Sequence, residues 1–521
     1  NHHSLGFTSF PLGSCNMGWM VWDSMRAVDY LLTRPDVDGE RIGITGASGG
    51  GANSFYAAAV DERLRASVVV VFACTFLEWF RYGGDNCICD HLPEFMGHFE
   101  EFEIFSMLAP RPVLLLNSIP DDGYPVSGAR VSFQAAQQIY RLAGASGQID
   151  YRELPTPHGY LQPEREAMYG WFDHYLQGSG SGAAEKEETC EPEPVGSEAL
   201  QCFKDHLPTN AKTMIAFNRE TYESLRPQSG RATPELRQKL IEMLGGFPEK
   251  TPLYGIDRTS SKAGVSEPRS LVFRSETGIA LPAFLLLSHA NKAKGTVIYM
   301  HPQGKEWVLG NQLSTILLQS GLHVLAVDVR GLGETGRYAG ERGYPDEFQC
   351  CTDSAALGKP ILQQRVWDVI RTLDYLEEIP LTRGLRVLAY GEGVCGNITL
   401  FAAALDQRIA AVATTEALLS YRPAMQEIHD KVELYNAETS ELVTAEARIH
   451  YSLYVPGILK VSDLPEIYDL ISPRKILAAN PLTPEDFADI RNRIPGLAIF
   501  QKLTEPQLSR EVAHWLREQA S

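Results

Sequence analysis

The sequence predicts an α/β protein made of two related units, and three observations carry that prediction. Short apolar runs of strand type alternate with amphipathic helices, which is typical of a mainly parallel sheet with helices on both faces. The composition is ordinary for a globular protein, with 44% hydrophobic and 21% charged residues. The chain of 521 residues is too long for a single hydrophobic core. A set of residues also recurs at constant spacing, so one unit is present twice.

The repeat is a helix followed by a short strand. Its helical residues Val21-Trp22-Asp23, Arg26 and Asp29-Tyr30-Leu31 recur as Val366-Trp367-Asp368, Arg371 and Asp374-Tyr375-Leu376, an offset of 345 (367 − 22) throughout. The strands that follow are expected at Arg41–Thr45 and Leu385–Tyr390. The match resumes later, where Leu108–Leu114 resembles Ile471–Leu477. Two unrelated helices would not match in this order, so the sequence indicates a tandem arrangement.

A glycine- and serine-rich stretch with an acidic run separates the two copies. It starts at Gln177-Gly178-Ser179-Gly180 and stays acidic as far as Glu193. This composition is typical of a flexible, solvated linker. We therefore expect a first domain at 1–178, a linker at 179–200 and a second domain at 201–521 that begins with a polar helical extension over Arg219–Leu244.

Charge and hydropathy argue against several kinds of partner. The formal net charge is −18, whereas nucleic acids and anionic membranes attract basic surfaces. No apolar run approaches the roughly 18 residues of a membrane span. The longest, Ala66–Leu77, contains Val68–Phe72, which is typical of a buried parallel strand.

The nine cysteines are scattered and form no disulfide framework. The sequence starts at Asn1 without an initiator Met, so the true start is expected to lie upstream and localisation cannot be read from a targeting segment.

The most informative motif is Gly46-Ala47-Ser48-Gly49-Gly50, which fits the G-x-S-x-G nucleophile elbow of α/β-hydrolases. A strand ends at Thr45 and a helix of small residues runs from Gly51 to Val60. Such a turn lifts the serine hydroxyl above the sheet, at a helix N-terminus that favours negative charge. The alternative is a glycine-rich turn without chemistry. The flanking strand and helix favour the elbow, with Ser48 as the nucleophile.

A serine hydroxyl needs a base and an acid, and this fold supplies them in the order Ser, Asp, His. The loop after the strand Val113–Leu116 carries Asp121 and Asp122. We favour Asp121 because a proline follows it four residues later, and Asp122 stays the alternative. His158, after the strand Ile149–Leu154, is the expected base.

Two further assignments concern the neighbourhood of this triad. The backbone N–H of Gly49 is the expected oxyanion donor, because it belongs to the residue after the nucleophile. His174 lies within the closing helix and is expected to be a surface or packing residue.

Cys87-Ile88-Cys89 raises the question of a metal site. A single C-x-C pair without a second pair is a weak metal signal, even with Asp90 and His91 nearby. These residues, together with Trp79 and Tyr82, are expected to form a loop over the active site. The sequence predicts no metal and no cofactor.

The second copy lacks the catalytic residues. The offset of 345 places Gly393 where Ser48 stands (393 − 48), and Cys395 comes two positions too late. The acid position falls near Pro484-Glu485, and Leu503–Pro506 contains no histidine. His301–Gly304 resembles the oxyanion loop. Gly391-x-Gly393-x-x-Gly396 also fits a dinucleotide fingerprint, but the repeat explains it better. We expect an inert pseudo-hydrolase that serves packing, substrate contact or dimerisation.

Several motifs together resemble a known family. They are Trp22-Asp23 with Tyr30–Pro35, Gly46–Gly51, Cys87-x-Cys89, Ala109–Pro112, Asp121 and His158-Gly159-Tyr160. The chain resembles bacterial tandem α/β-hydrolases described as acetyl-xylan-esterase-like, which are related to the hydrolase domains of prolyl oligopeptidases and dipeptidyl peptidases. The resemblance covers nearly the whole chain. It implies a triad of Ser48, Asp121 and His158, deacetylation of plant polysaccharide, and export from the cell.

The leading functional prediction is therefore a serine carboxylesterase that acts on short acyl esters, such as acetyl groups on carbohydrate. One alternative is a serine peptidase of prolyl-oligopeptidase type, although no β-propeller repeat is present. Another is a non-catalytic carbohydrate-binding or scaffold protein. The expected partner is a small-molecule or polysaccharide ester, and a homo-oligomer is left open.

The first copy is also expected to be incomplete. Residue 1 pairs with residue 346 of the second copy (346 − 345), so the strands Val297–Met300 and His323–Val327 and the loop His301–Gly304 have no counterpart before it. The strand Ile42–Thr45 would then be an exposed apolar edge. We expect that on the order of 80 further N-terminal residues, or a partner subunit, complete the sheet.

Overall fold

The computed structural model describes two compact units. The first comprises His2–Gly6 and Ser14–Phe217, and the second comprises Phe7–Gly13 and Asn218–Ser521. The described residues are 2–81, 87–121, 123–189, 191–203, 208–225, 233–259, 267–336, 346–422, 425, 450–482, 490–491, 494 and 496–520.

The first unit is built on a four-stranded sheet in the order β1-β2-β3-β4, in which every pairing is parallel. Its strands are β1 (Ile42–Ala47), β2 (Leu64–Val70), β3 (Val113–Ser118) and β4 (Ile149–Leu154). Its helices are α1 (His2–Ser9, which continues into the second unit), α2 (Asn16–Leu32), α3 (Gly49–Val60), α4 (Phe76–Arg81), α5 (Glu101–Leu108), α6 (Val126–Leu142) and α7 (Gln162–Phe172).

Both faces of this sheet are buried, as the unbroken apolar runs of its central strands predict. Alternate residues of a strand point to opposite faces. Val69 and Leu115 pack with residues of α2, α3, α5 and α6. Val68 and Leu114 pack with Trp171 and its neighbours on α7. The resulting layers leave the carboxyl ends of the strands as the edge where loops gather.

Strand β1, which leads to Ser48, lies at the edge of the sheet. Among the described residues it pairs with β2 alone, and after Ile42 its residues are only partly buried. The expectation that the nucleophile strand lies at an edge agrees with this arrangement.

The second unit contains a nine-stranded mixed sheet in the order β13-β12-β11-β10-β8-β9-β7-β6-β5. Its strands are β5 (Ile256–Asp257), β6 (Arg269–Glu276), β7 (Ile279–Leu286), β8 (Gly295–Met300), β9 (Leu322–Val327), β10 (Val387–Glu392), β11 (Ile409–Thr415), β12 (Lys475–Ala479) and β13 (Leu497–Phe500). Its helices are α8 (Met214–Leu225, which begins in the first unit), α9 (Pro234–Met243), α10 (Gln312–Gln319), α11 (Asp346–Ala356), α12 (Ile361–Glu378), α13 (Val394–Leu405), α14 (Ile458–Val461), α15 (Leu464–Ile471) and α16 (Gln507–Gln519).

The resemblance between the copies extends into the backbone. Ile42 pairs with Leu64 across β1 and β2, and Val387 pairs with Ile409 across β10 and β11, each 345 residues on (387 − 42 and 409 − 64). Both pairs carry a register irregularity just after these residues. The strand–turn–helix unit around Ser48 therefore has a close structural counterpart in the second sheet.

Three local features differ from the sequence-based expectation. The compact units divide at Phe217 and Asn218, later than the expected 179–200 linker. The start of that linker is bound to α7: the Glu185 N–H donates to the Glu166 carbonyl at 2.9 Å, and Arg165 pairs with Glu187 at 2.7 Å. These bonds satisfy backbone and charged groups that a free linker would leave to water, so Glu185 and Glu187 are anchored to α7, and the domain boundaries stay a prediction.

The second difference concerns the expected helical extension over Arg219–Leu244. Two helices, α8 and α9, occupy this region, and α9 starts at Pro234, which suits a first helical position. The third difference is a disulfide between Cys87 and Cys89, which the scattered cysteines did not suggest. Among the described residues, no helix combines the length and the apolar character that a membrane span requires.

Candidate active site

Ser48 occupies a sharp turn between β1 and α3. Its backbone has φ 57° and ψ −124°, an unusual conformation for a residue with a side chain. The Ser48 N–H donates to the Val70 carbonyl at 3.1 Å, which fixes the turn against β2. A Cβ on Gly46 would lie 2.4 Å from the Gly50 carbonyl oxygen, and a Cβ on Gly51 would lie 2.5 Å from the Val70 carbonyl oxygen. These two glycines are therefore required by space.

Gly49 is the first residue of α3, so its N–H has no acceptor within the helix. A Cβ on this residue would lie 3.0 Å from the Cys89 sulfur, which shows that the Cys87–Cys89 loop packs against the Gly49 backbone. An N–H at a helix N-terminus is suited to stabilise a developing oxyanion.

Asp121 and His158 form a hydrogen-bonded pair. The Asp121 Oδ2 lies 2.7 Å from the His158 Nδ1. The other oxygen, Oδ1, accepts from the N–H groups of Gly123 at 3.0 Å and Tyr124 at 3.3 Å. Asp121 is buried and the imidazole is partly exposed. This geometry supports Asp121 as the acid, and Asp122 lies outside the described residues.

All three candidate residues lie at the same edge of the sheet. Ser48 follows β1, Asp121 follows β3 and His158 follows β4, and carboxyl ends of parallel strands meet at one edge. The Tyr160 hydroxyl lies 2.6 Å from the Thr45 hydroxyl, so the loop carrying His158 contacts the strand that carries Ser48. The structure thus brings Asp121 and His158 into contact and places Ser48 at the edge they share.

Sequence reasoning missed one residue that contacts this pair, Tyr124. The Tyr124 ring lies nearly parallel to the His158 ring, with 6.0 Å between centroids and 15° between planes. The Tyr124 hydroxyl donates to Asp90 Oδ2 at 2.7 Å. Tyr124 follows Asp121 by three residues, and that proximity was its sole signal in the sequence.

The expected loop over the active site is only partly described. Asp90 does reach the acid–base pair through Tyr124. Trp79 belongs to α4, is buried and packs against the His91 ring with 4.9 Å between centroids. Tyr82 lies outside the described residues. His174 is exposed, with its Nδ1 3.2 Å from the Gly180 carbonyl oxygen, in keeping with a surface role.

One group of potential metal ligands occurs among the described residues, namely Cys87, Cys89 and Asp90. The two sulfurs are joined in the disulfide, so neither is a thiolate in this structure. Thiolates, not disulfides, bind Zn²⁺. The residues present therefore give no support for a metal.

The corresponding turn of the second unit keeps its shape without the nucleophile. Gly393 has φ 54° and ψ −127°, close to the values of Ser48, and its N–H donates to the Thr415 carbonyl at 2.8 Å. Cys395 is fully buried, and burial raises the pKa of its thiol to about 12. The expected acid position at Pro484-Glu485 lies outside the described residues.

Comparison with known proteins places the chain near carbohydrate esterases. A family model for acetyl xylan esterase (AXE1) matches residues 19–85, which include Ser48. A Bacillus subtilis (strain 168) protein named "Putative hydrolase YtaP" is 30% identical over 155 residues, 29% of this chain and 50% of that protein. The carbohydrate esterase MZ0003, from an unknown prokaryotic organism, is 26% identical over 153 residues, 25% of this chain and 34% of that protein. The chain thus spans half or less of these curated relatives.

Two solved structures are among those similar to this chain. The acetyl xylan esterase 1 of Thermoanaerobacterium sp. JW/SL YS485 superimposes with a TM-score of 0.40 at 17% identity, covering 57% of this chain and 98% of that one. The glucuronoyl esterase of Solibacter usitatus gives 0.37 at 13% identity, covering 55% of this chain and 91% of that one.

The sheet order and the nucleophile turn define an α/β-hydrolase fold, as the sequence predicted. The predicted resemblance to acetyl-xylan-esterase-like proteins is confirmed by the family model and by the two curated relatives. The tandem arrangement stays a prediction, supported here by the matching registers and turns of the two sheets.

Proposed function

We propose that this protein is a serine carboxylesterase that hydrolyses short acyl esters, including acetyl groups on carbohydrate. The observation that carries the proposal is the Asp121–His158 hydrogen bond of 2.7 Å at the sheet edge where the turn presents Ser48. The family model that spans the turn and the carbohydrate esterase among the relatives support ester substrates. The catalytic unit is the first one, and the second unit is a hydrolase-like copy without a nucleophile.

In this mechanism the Ser48 hydroxyl attacks the ester carbonyl while His158 takes its proton through Nε2. Asp121 accepts the Nδ1 hydrogen bond, which fixes the tautomer and stabilises the imidazolium. The Gly49 N–H donates to the oxyanion of the tetrahedral intermediate. The imidazolium then protonates the leaving alcohol. Water, deprotonated by His158, attacks the acyl-enzyme and releases the carboxylic acid and Ser48.

Ser48→Ala tests the proposal directly. We expect loss of p-nitrophenyl acetate hydrolysis and of acetate release from acetylated xylan by about 10⁴-fold or more, because the members of a triad act as a unit. A fluorophosphonate probe followed by peptide mapping is expected to label Ser48. A matched control is Ser106→Ala, since the Ser106 hydroxyl donates to the Phe102 carbonyl within α5.

Undiminished turnover in Ser48→Ala, or a label on another residue, would contradict the assignment. An aminoacyl-proline anilide distinguishes the reaction class: its cleavage in preference to the acetate ester would identify a peptidase instead.

A further inference from the structure

Tyr124 connects the acid and the base to a second carboxylate. Its N–H donates to Asp121 Oδ1 at 3.3 Å, its ring lies nearly parallel to the His158 ring, and its hydroxyl donates to Asp90 Oδ2 at 2.7 Å. The side chain is 2% exposed. One residue therefore contacts both members of the acid–base pair and is held at its far end.

Asp90 belongs to the loop that packs on the nucleophile turn. The preceding residue, Cys89, lies against the Gly49 backbone, where a Cβ would come within 3.0 Å of its sulfur. The Cys87–Cys89 disulfide closes this loop, and Asp90 is 5% exposed. The same short loop thus contacts the expected oxyanion donor and, through Tyr124, the expected base.

We propose that Tyr124 and Asp90 are positioning residues that hold the His158 ring at the angle required for proton transfer to and from Ser48. This inference rests on the proposed function. A hydrogen bond to Nδ1 fixes one ring atom, but it leaves the imidazole able to tilt about that bond. The parallel Tyr124 ring restricts the tilt, and the bond to Asp90 keeps Tyr124 in place.

Tyr124→Phe removes the bond to Asp90 and keeps the ring. We expect kcat to fall about tenfold with KM nearly unchanged, because small errors in the placement of a catalytic group slow the chemical step more than binding. In the proton NMR spectrum, the low-field resonance of the His158 Nδ1 hydrogen is expected to broaden. The matched control is Tyr140→Phe, since the buried Tyr140 hydroxyl donates to the Arg111 carbonyl at 2.8 Å, away from His158.

Asp90→Ala tests the other end of the same contact, because it removes the carboxylate that accepts from the Tyr124 hydroxyl. We expect a similar fall in kcat, and the double variant should lose little more than either single variant, because all three remove one interaction. The control variant should keep kcat and the low-field resonance while losing a similar amount of thermal stability.

Two results would overturn the inference. One is a wild-type kcat in Tyr124→Phe, and the other is an equal fall in kcat in Tyr124→Phe and Tyr140→Phe. These outcomes differ from failure of the proposed function, which would appear as wild-type hydrolysis that survives Ser48→Ala.

Discussion

At the scale of single residues, the nucleophile turn depends on two glycines, which have no Cβ. Gly46 and Gly51 leave no room for a Cβ beside neighbouring carbonyl oxygens, so the chain can turn sharply from β1 into α3. Ser48 then adopts a positive φ that most residues avoid. Gly393 repeats this conformation without any side chain. The backbone of the turn therefore forms with or without a hydroxyl, and in the proposed mechanism the Ser48 hydroxyl is what distinguishes the first unit.

Gly49→Ala tests the contact between the turn and the Cys87–Cys89 loop. The added methyl would come within 3.0 Å of the Cys89 sulfur, so the loop or the Gly49 N–H must shift. Loss of an oxyanion donor typically costs about 10²–10³-fold in kcat, and we expect a fall of at least tenfold from its displacement. Steady-state kinetics measures this. Gly147→Ala, which adds a methyl where no atom lies within 4 Å, is the control. Equal rates in both variants would disprove the displacement.

At the scale of elements, an arginine in each unit binds near the end of the helix that follows the turn. The Arg111 guanidinium donates to the carbonyls of Ala58, Asp61 and Leu64 at 2.6, 3.1 and 2.9 Å. It thereby satisfies carbonyls at the C-terminus of α3, where a cation is favourable, and the carbonyl of the first residue of β2. Arg474 makes the corresponding contacts with Ala403, Asp406 and Ile409 at the end of α13. Each acceptor is displaced by 345 (403 − 58), which gives the arginine the same role in both copies.

Arg111→Met should destabilise the first unit by about 3 kcal/mol, because three carbonyls lose a charged donor at once. Urea unfolding followed by circular dichroism measures the change in the free energy of unfolding. The exposed Arg141, on α6, gives the control variant Arg141→Met, which should be nearly neutral. A neutral Arg111→Met would show that water replaces the guanidinium.

Another comparison between elements concerns the repeated helix. Trp22 on α2 is 53% exposed, whereas Trp367 on α12 is 3% exposed. Tyr30 and Tyr375 differ in the same way, at 60% and 5%. Tyr375 is covered because its ring stacks on Phe273 of β6, with 4.4 Å between centroids. The same sequence motif is therefore exposed on α2 and buried on α12, because burial depends on the neighbouring elements.

At the scale of the whole molecule, the two units share the strand–turn–helix backbone but differ in the residues at the turn. The second sheet retains the turn, the helix after it and its capping arginine. At the turn it has Gly393 and a buried Cys395 whose thiol stays protonated near neutral pH, because burial raises its pKa to about 12. A protonated, buried thiol is a poor nucleophile.

The second unit is therefore expected to form no covalent intermediate. In the full-length Ser48→Ala variant, a fluorophosphonate probe should label no residue, and mass spectrometry should find the peptide containing Cys395 unmodified. Full-length Cys395→Ala, with Ser48 intact, should hydrolyse p-nitrophenyl acetate at the wild-type rate. A Cys395 adduct or a loss of rate in that variant would refute this view of the second unit.

The sequence by itself determined the fold class, because it follows from hydrophobic periodicity and glycine placement along the chain. The tandem repeat and the triad of Ser48, Asp121 and His158 follow from motif spacing and stay predictions. The sequence also predicted both ends of β4 correctly, at Ile149 and Leu154. Only the tertiary structure decided which residues meet across the chain. The contact of Tyr124 with His158, that of Cys89 with Gly49 and the binding of Glu185 and Glu187 to α7 join segments whose spacing carries no signal. Local patterns specify elements, whereas contacts between loops depend on how the packed sheet positions their ends.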